Sequence, residues 1–125
     1  MTSMGRSLLS GTGPLTIHFQ LEEFACHCSV GRALIAADLV EVLEEIRCVL
    51  NAPVRIVSGY RCPVRNATQG GTPRSWHTVG LAADVAVAPE LRTQLGDILV
   101  ALVKAGRLRY VETHETFTHV DVGFG

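Results

Sequence analysis

The longest periodic stretch of the chain runs from Leu34 to Leu50. Ile35, Leu39, Val42, Leu43, Ile46, Val49 and Leu50 fall on one stripe of a helix, with Asp38, Glu41, Glu44 and Glu45 opposite. Asn51-Ala52-Pro53 ends it, because the residue before a proline is pushed out of the helical region. Val54 to Val57 then alternates as a short strand, stopped by Ser58-Gly59. Leu81 to Val87 is mostly apolar and predicts a strand buried on both faces. A second helix is expected from about Pro89 to Ala105, with Leu91, Leu95, Ile98, Leu99, Leu102 and Val103 as its stripe and Gly106 as its stop. Two late strands follow, near Leu108–Glu112 and Phe117–Gly123.

The segments between these elements carry the remaining information. Residues 1–14 are rich in Gly, Ser and Thr and predict a loose arm, leaving residues 15–125 as a single domain. Residues 59–80 show no period and read as one long loop, and loops of that length inside compact domains are usually functional. The order helix, strand, strand, helix, strand, strand predicts an α+β domain, its helices packed on a small antiparallel sheet.

A formal charge of −1 leaves no basic stripe for phosphates, which argues against nucleic acid. No apolar run approaches the ~20 residues of a membrane span, and Met1 to Pro14 lacks the apolar core of a signal peptide. Synthesis in the cytoplasm is expected, and a monomer. Without a signal peptide, Cys26, Cys28, Cys48 and Cys62 read first as reduced thiols, Cys48 as a small buried group on its helix. Cys26-His27-Cys28 keeps open a structural metal, or a disulfide to Cys62.

Candidate chemistry begins with Asp84. A carboxylate among Leu81, Ala82, Ala83, Val85 and Val87 is expensive to bury unless it is paired or bound to a cation. An ion pair with an arginine is one answer; a metal is the other. His77 lies at the end of the long loop, just before that strand, and Thr118-His119-Val120-Asp121 puts His119 and Asp121 on one face of a late strand. Two imidazoles and a carboxylate, with a fourth position left to water, make the donor set of a catalytic zinc site. Zinc acidifies bound water and polarises a carbonyl, so no Ser or Cys nucleophile is needed. Rivals are weak: the chain has no G-x-S-x-G elbow, no phosphate-cradling glycine pattern and no H-E-x-x-H, and a Cys62–His77 pair carries no sign of an activated thiol.

Ser58-Gly59-Tyr60-Arg61-Cys62-Pro63, Asn66, Gly70-Gly71, Ser75-x-His77-x-x-Gly80-x-Ala82-x-Asp84 and His119-Val120-Asp121 together resemble the zinc D-alanyl-D-alanine carboxypeptidase family. That M15-like family includes bacterial wall enzymes and phage peptidases, and shares its fold with the amino-terminal domain of hedgehog proteins. Leu21-Glu22-Glu23-Phe24-x-Cys26 resembles the opening of its short phage-type members, so the likeness covers the chain from about His18 onward. The resemblance implies one zinc per chain on His77, Asp84 and His119. It implies that Arg61 holds a substrate carboxylate, a task that suits a guanidinium fork, and that Ser75 helps near the metal. Asn66, Gly70 and Gly71 would shape the loop, and Trp76 would line the cleft or pack.

The chain departs from the family at the general base, since Thr116 stands where many members have an acid. Asp121, Glu115, Glu112 and His114 are the candidates. Asp121 is favoured, Glu115 would share the face of His119 on a continuous strand, and His114 would stabilise the oxyanion. The expected function is hydrolysis of peptidoglycan stem peptides, as a carboxypeptidase or endopeptidase such as a phage endolysin. Action would be at the cell wall, after release or as a phage component. The alternative is a catalytically weak zinc-binding assembly module, for example of a phage particle.

Overall fold

The computed structural model describes residues 7–28, 31–68 and 75–123. The strands form two antiparallel sheets. The smaller pairs β1 (Leu8–Ser10) with β2 (Leu34–Ala36), and β2 runs directly into α1 (Ala37–Leu50). The larger has the order β3-β4-β6-β5, built from β3 (Arg55–Ser58), β4 (Ala82–Ala86), β5 (Tyr110–Thr113) and β6 (Thr118–Asp121). A short α2 (Pro63–Thr68) follows β3, and α3 (Arg92–Lys104) joins β4 to β5. The expected α+β class holds.

The helices form where the apolar stripe can be buried. Leu39, Val42, Leu43, Ile46 and Leu50 of α1 join Leu95, Leu99 and Leu102 of α3 in one core, with Ala83, Val85 and Val120 of the sheet. At roughly 1.5–3 kcal/mol per fully buried aliphatic side chain, this layer dominates the favourable side of folding. Asn51 closes α1 in the left-handed conformation, its φ at 51°.

Four details differ from the sequence reading. Leu34–Ala36 is strand rather than the start of the helix, and Leu8–Ser10 is its partner rather than part of a loose arm. The stretch after Gly59 contains α2, which starts on Pro63, and a 3₁₀ turn at Trp76–Val79. Cys48 is exposed, its sulfur 3.3 Å from Glu44 Oε2, and Val49 is 55 % exposed; both fall beside the buried stripe. Gly70 and Gly71 lie outside the described residues. Among the described residues no helix is long and apolar enough to cross a membrane.

Candidate metal centre

The site follows from the register of the larger sheet. Asp84 pairs with His119 across β4 and β6, and Glu112 pairs with His119 across β5 and β6. Residues opposite one another in an antiparallel pair share a face, so Asp84, His119 and Glu112 form one row. Ala82, Asp121 and Tyr110 form the next row on that face. The intervening row, Ala83, Val120 and Val111, points the other way, into or against the core.

His77 reaches this face from the 3₁₀ turn. Ser75 caps the turn, its Oγ accepting the His77 backbone N–H at 3.2 Å, and Gly80 closes it with φ at 78°. Only glycine suits that position: beyond the left-handed φ, a Cβ there would stand 2.9 Å from the Leu34 carbonyl oxygen. Ser75 therefore builds the turn that carries His77.

Three donor atoms converge. His77 Nε2 and His119 Nδ1 each lie 3.2 Å from Asp84 Oδ1. Each ring is held from its far side by an oxygen. His77 Nδ1 donates to the Gly59 carbonyl at 2.8 Å, and His119 Nε2 donates to Asp121 Oδ2 at 2.8 Å. Those oxygens only accept, so the outer nitrogens carry the protons and a neutral ring turns its lone pair towards Asp84. Two lone pairs facing a carboxylate are repulsive unless protons or a cation lie between them. The three groups thus fit a metal ion, with donors within 4.8 Å of one another and outer oxygens orienting both imidazoles.

In the metal-free chain a proton on His119 meets part of that demand. Burial opposes the charged form of His119, but hydrogen bonds to Asp121 and Asp84 outweigh it and lift its pKa to about 9. Burial likewise works against the Asp84 anion, and the hydrogen bonds from His119 and His77 still hold its carboxyl well below the usual range. Asp121 moves down for similar reasons: burial resists, while His119 and Arg109 prevail.

Sequence reasoning missed Arg109. Its Nε and Nη2 bond Asp121 Oδ1 and Oδ2 at 2.7 and 2.9 Å, and its guanidinium lies over the rings of Trp76 and Tyr110 at 5.1 and 5.3 Å. The pairing spans a strand edge, where no local spacing rule announces it. Its consequence is that Asp121, fully buried with both oxygens engaged, is spoken for as an orienter of His119. Asp121, favoured as the general base from the sequence, is hydrogen-bonded through both oxygens in this geometry.

Other candidates fall in or out of the same cleft. Arg61, Trp76, Glu112, His114 and Phe117 line it with the three donors, around an open volume of about 330 Å³. The Nε of Arg61 is buried there without a hydrogen-bond partner among the described residues. His114 stacks on Phe117, its Nε2 3.9 Å from Glu112 Oε1. Glu115 is not brought in. It is exposed in the turn between β5 and β6, where the strand period that would align it with His119 has ended. Asn66 is buried in α2, its backbone N–H bonded to the Cys62 carbonyl.

An open cleft on a small α+β domain, floored by a carboxylate between two oriented imidazoles, has the features of a metal-dependent hydrolase. A family model described as Peptidase M15 matches residues 17–121, and the chain belongs to that family. The family's peptidases are metal-dependent and use zinc, which makes this chain a hydrolase of the metallopeptidase kind. No curated protein and no solved structure matches it.

Proposed function

We propose that this chain cleaves peptidoglycan stem peptides as a zinc carboxypeptidase, with His77, Asp84 and His119 holding one zinc in the cleft and Arg61 receiving the substrate's terminal carboxylate. The observation that carries the reading is the pair of imidazoles whose outer nitrogens are tied to oxygens and whose inner nitrogens face Asp84. Zinc bound there would supply an acidified water and polarise the scissile carbonyl.

The protein's own groups do the rest. Arg61 offers an unsatisfied guanidinium Nε at the wall of the cleft, suited to a carboxylate fork. Glu112, opposite His119 on the open face, accepts the proton of the attacking water and returns it to the leaving amine. His114 lies near enough to Glu112 to share its field and to stabilise negative charge developing on the carbonyl oxygen. Asp121 and Arg109 keep the His119 ring aimed. The site of action is the cell wall, reached after release or as part of a phage particle.

The test is hydrolysis of a synthetic stem peptide ending in D-Ala-D-Ala, followed by mass spectrometry, in free-acid and C-terminal amide forms. Free-acid cleavage, with the preference for acid over amide lost in Arg61→Ala, supports the carboxypeptidase. Equal cleavage of both forms points to an endopeptidase. One observation favours a second reading: Asp121 is engaged by Arg109 and His119, which leaves no buried carboxylate free to act as base among the described residues of the cleft. An assembly module that holds zinc without turnover would show no cleavage of any form.

A further inference from the structure

A second group of ligand-type side chains lies outside the cleft. Cys26 and Cys28 flank a single residue just after the 3₁₀ turn Leu21–Phe24, and Cys62 follows Arg61. The three sulfurs lie within 4.8 Å of one another, Cys26 and Cys62 being 3.6 Å apart. The backbone makes this convergence. Tyr60 N–H donates to the Phe24 carbonyl at 2.9 Å, and Cys26 N–H to the Arg32 carbonyl at 2.7 Å. Gly59 permits the approach, since a Cβ there would stand 2.6 Å from Phe24 Cα. Cys62 N–H then donates to the Cys26 sulfur at 3.3 Å.

We infer that Cys26, Cys28 and Cys62 form a second metal site, a thiolate site for one soft divalent ion such as zinc, separate from the His77–Asp84–His119 group. Tetrahedral zinc with Zn–S bonds of ~2.3 Å sets sulfurs ~3.8 Å apart, close to the spacing found, whereas a disulfide needs ~2.05 Å. Simple packing of small apolar thiols is a poor account, because Cys28 and Cys62 are only partly buried. A backbone N–H aimed at sulfur suits an anion, and thiolates select zinc-like ions over magnesium or calcium. In the metal-free chain burial raises the Cys26 thiol above its usual range, and a bound cation would draw the proton off. The fourth position falls to solvent, His27 being exposed.

The site would clamp Cys26 and Cys28 to the segment that presents Arg61. If Arg61 binds substrate as proposed above, emptying the clamp raises KM and spares kcat; that consequence rests on the earlier reading, and the metal site does not.

The experiment is metal analysis of the full chain, purified with a phosphine reductant and no chelator, followed by cobalt loading. The expected result is about two zinc per wild-type chain, one in His77→Ala and one in a Cys28→Ser/Cys62→Ser variant. Cobalt-loaded His77→Ala should show an intense near-ultraviolet sulfur-to-cobalt charge-transfer band, a signature the imidazole and carboxylate site cannot produce. If the cysteine variant does not fold, the cobalt spectrum of His77→Ala decides. Absence of that band with no metal in His77→Ala overturns the site. So does a Cys26–Cys62 disulfide in chain alkylated directly at lysis. Neither result touches the cleft, whose zinc is read from the cysteine variant.

Discussion

On β4 and β6, Ala83, Val85 and Val120 join the core with Leu43 and Leu99, while their chain neighbours Asp84, His119 and Asp121 look into the cleft. Both faces are well buried and share one backbone. They differ in what burial demands. The apolar face needs only matching shapes, and dispersion and the hydrophobic effect supply its stability. The polar face tolerates burial because every charge has a partner: Asp84 has two imidazoles, His119 has two carboxylates, and Asp121 has Arg109. One face is therefore expected to fail by unfolding and the other by losing a ligand.

The largest effect should come from moving a charge to the wrong face. Val120→Asp would bury an unpaired carboxylate beside Leu-rich helices, a penalty of several kcal/mol against a total stability of about 5–15 kcal/mol. Circular dichroism and solubility should report an unfolded or aggregated chain; a folded Val120→Asp would break the contrast. Next in size is Asp84→Ala, expected to stay folded yet lose its cleft zinc and all hydrolysis. Unfolding at room temperature would show instead that the polar face is structural.

Asp121→Asn sharpens the comparison further. It keeps the shape and removes the charge that orients His119, so affinity at the cleft should fall ~10–100-fold, the usual effect of disturbing a ligand's hydrogen-bond partner. Chelator competition measures it, and unchanged affinity would mean that His119 needs no orienter.

The smallest effect is in pH. In the metal-free chain His119 is raised from the ordinary 6.5 to about 9, so its ion pairs stabilise the fold fully below pH 6.5 and are lost as pH climbs through 9. Asp84 and Asp121 shift downwards, so their contribution is present above the ordinary carboxylate range and is lost as pH falls below it. Metal-free stability should therefore decline on both sides of neutrality, whereas zinc affinity should rise with pH up to about 9, as the His119 proton is displaced more easily. Thermal melts and calorimetric proton release check the two trends; a flat alkaline arm would contradict the His119 assignment.

The parts of this arrangement that local rules govern were readable in advance. A carboxylate inside an apolar strand at Asp84, and period-two alternation through His119 and Asp121, point to the polar face without coordinates. The helical stripes were legible for the same reason, although Leu34 to Ala36 fits both a helix and a strand by its apolar content. The pairing with Leu8–Ser10 decides between them, and that contact is distant in sequence. Arg109 is invisible for a related cause: its role depends on the strand edge that brings it to Asp121. Glu115 was misplaced by extending the strand period past the hairpin turn. For the cysteines, spacing alone favours reduced thiols, with a disulfide ahead of a metal among the alternatives. The backbone bonds that gather the three sulfurs emerge only from the fold.

The most direct test of the account is zinc content of the purified chain beside His77→Ala and Asp84→Ala, measured together with stem-peptide hydrolysis. Each variant should hold about one zinc fewer than wild type and cleave nothing. Zinc content unchanged in both variants, or none in wild type after incubation with excess metal, would contradict it.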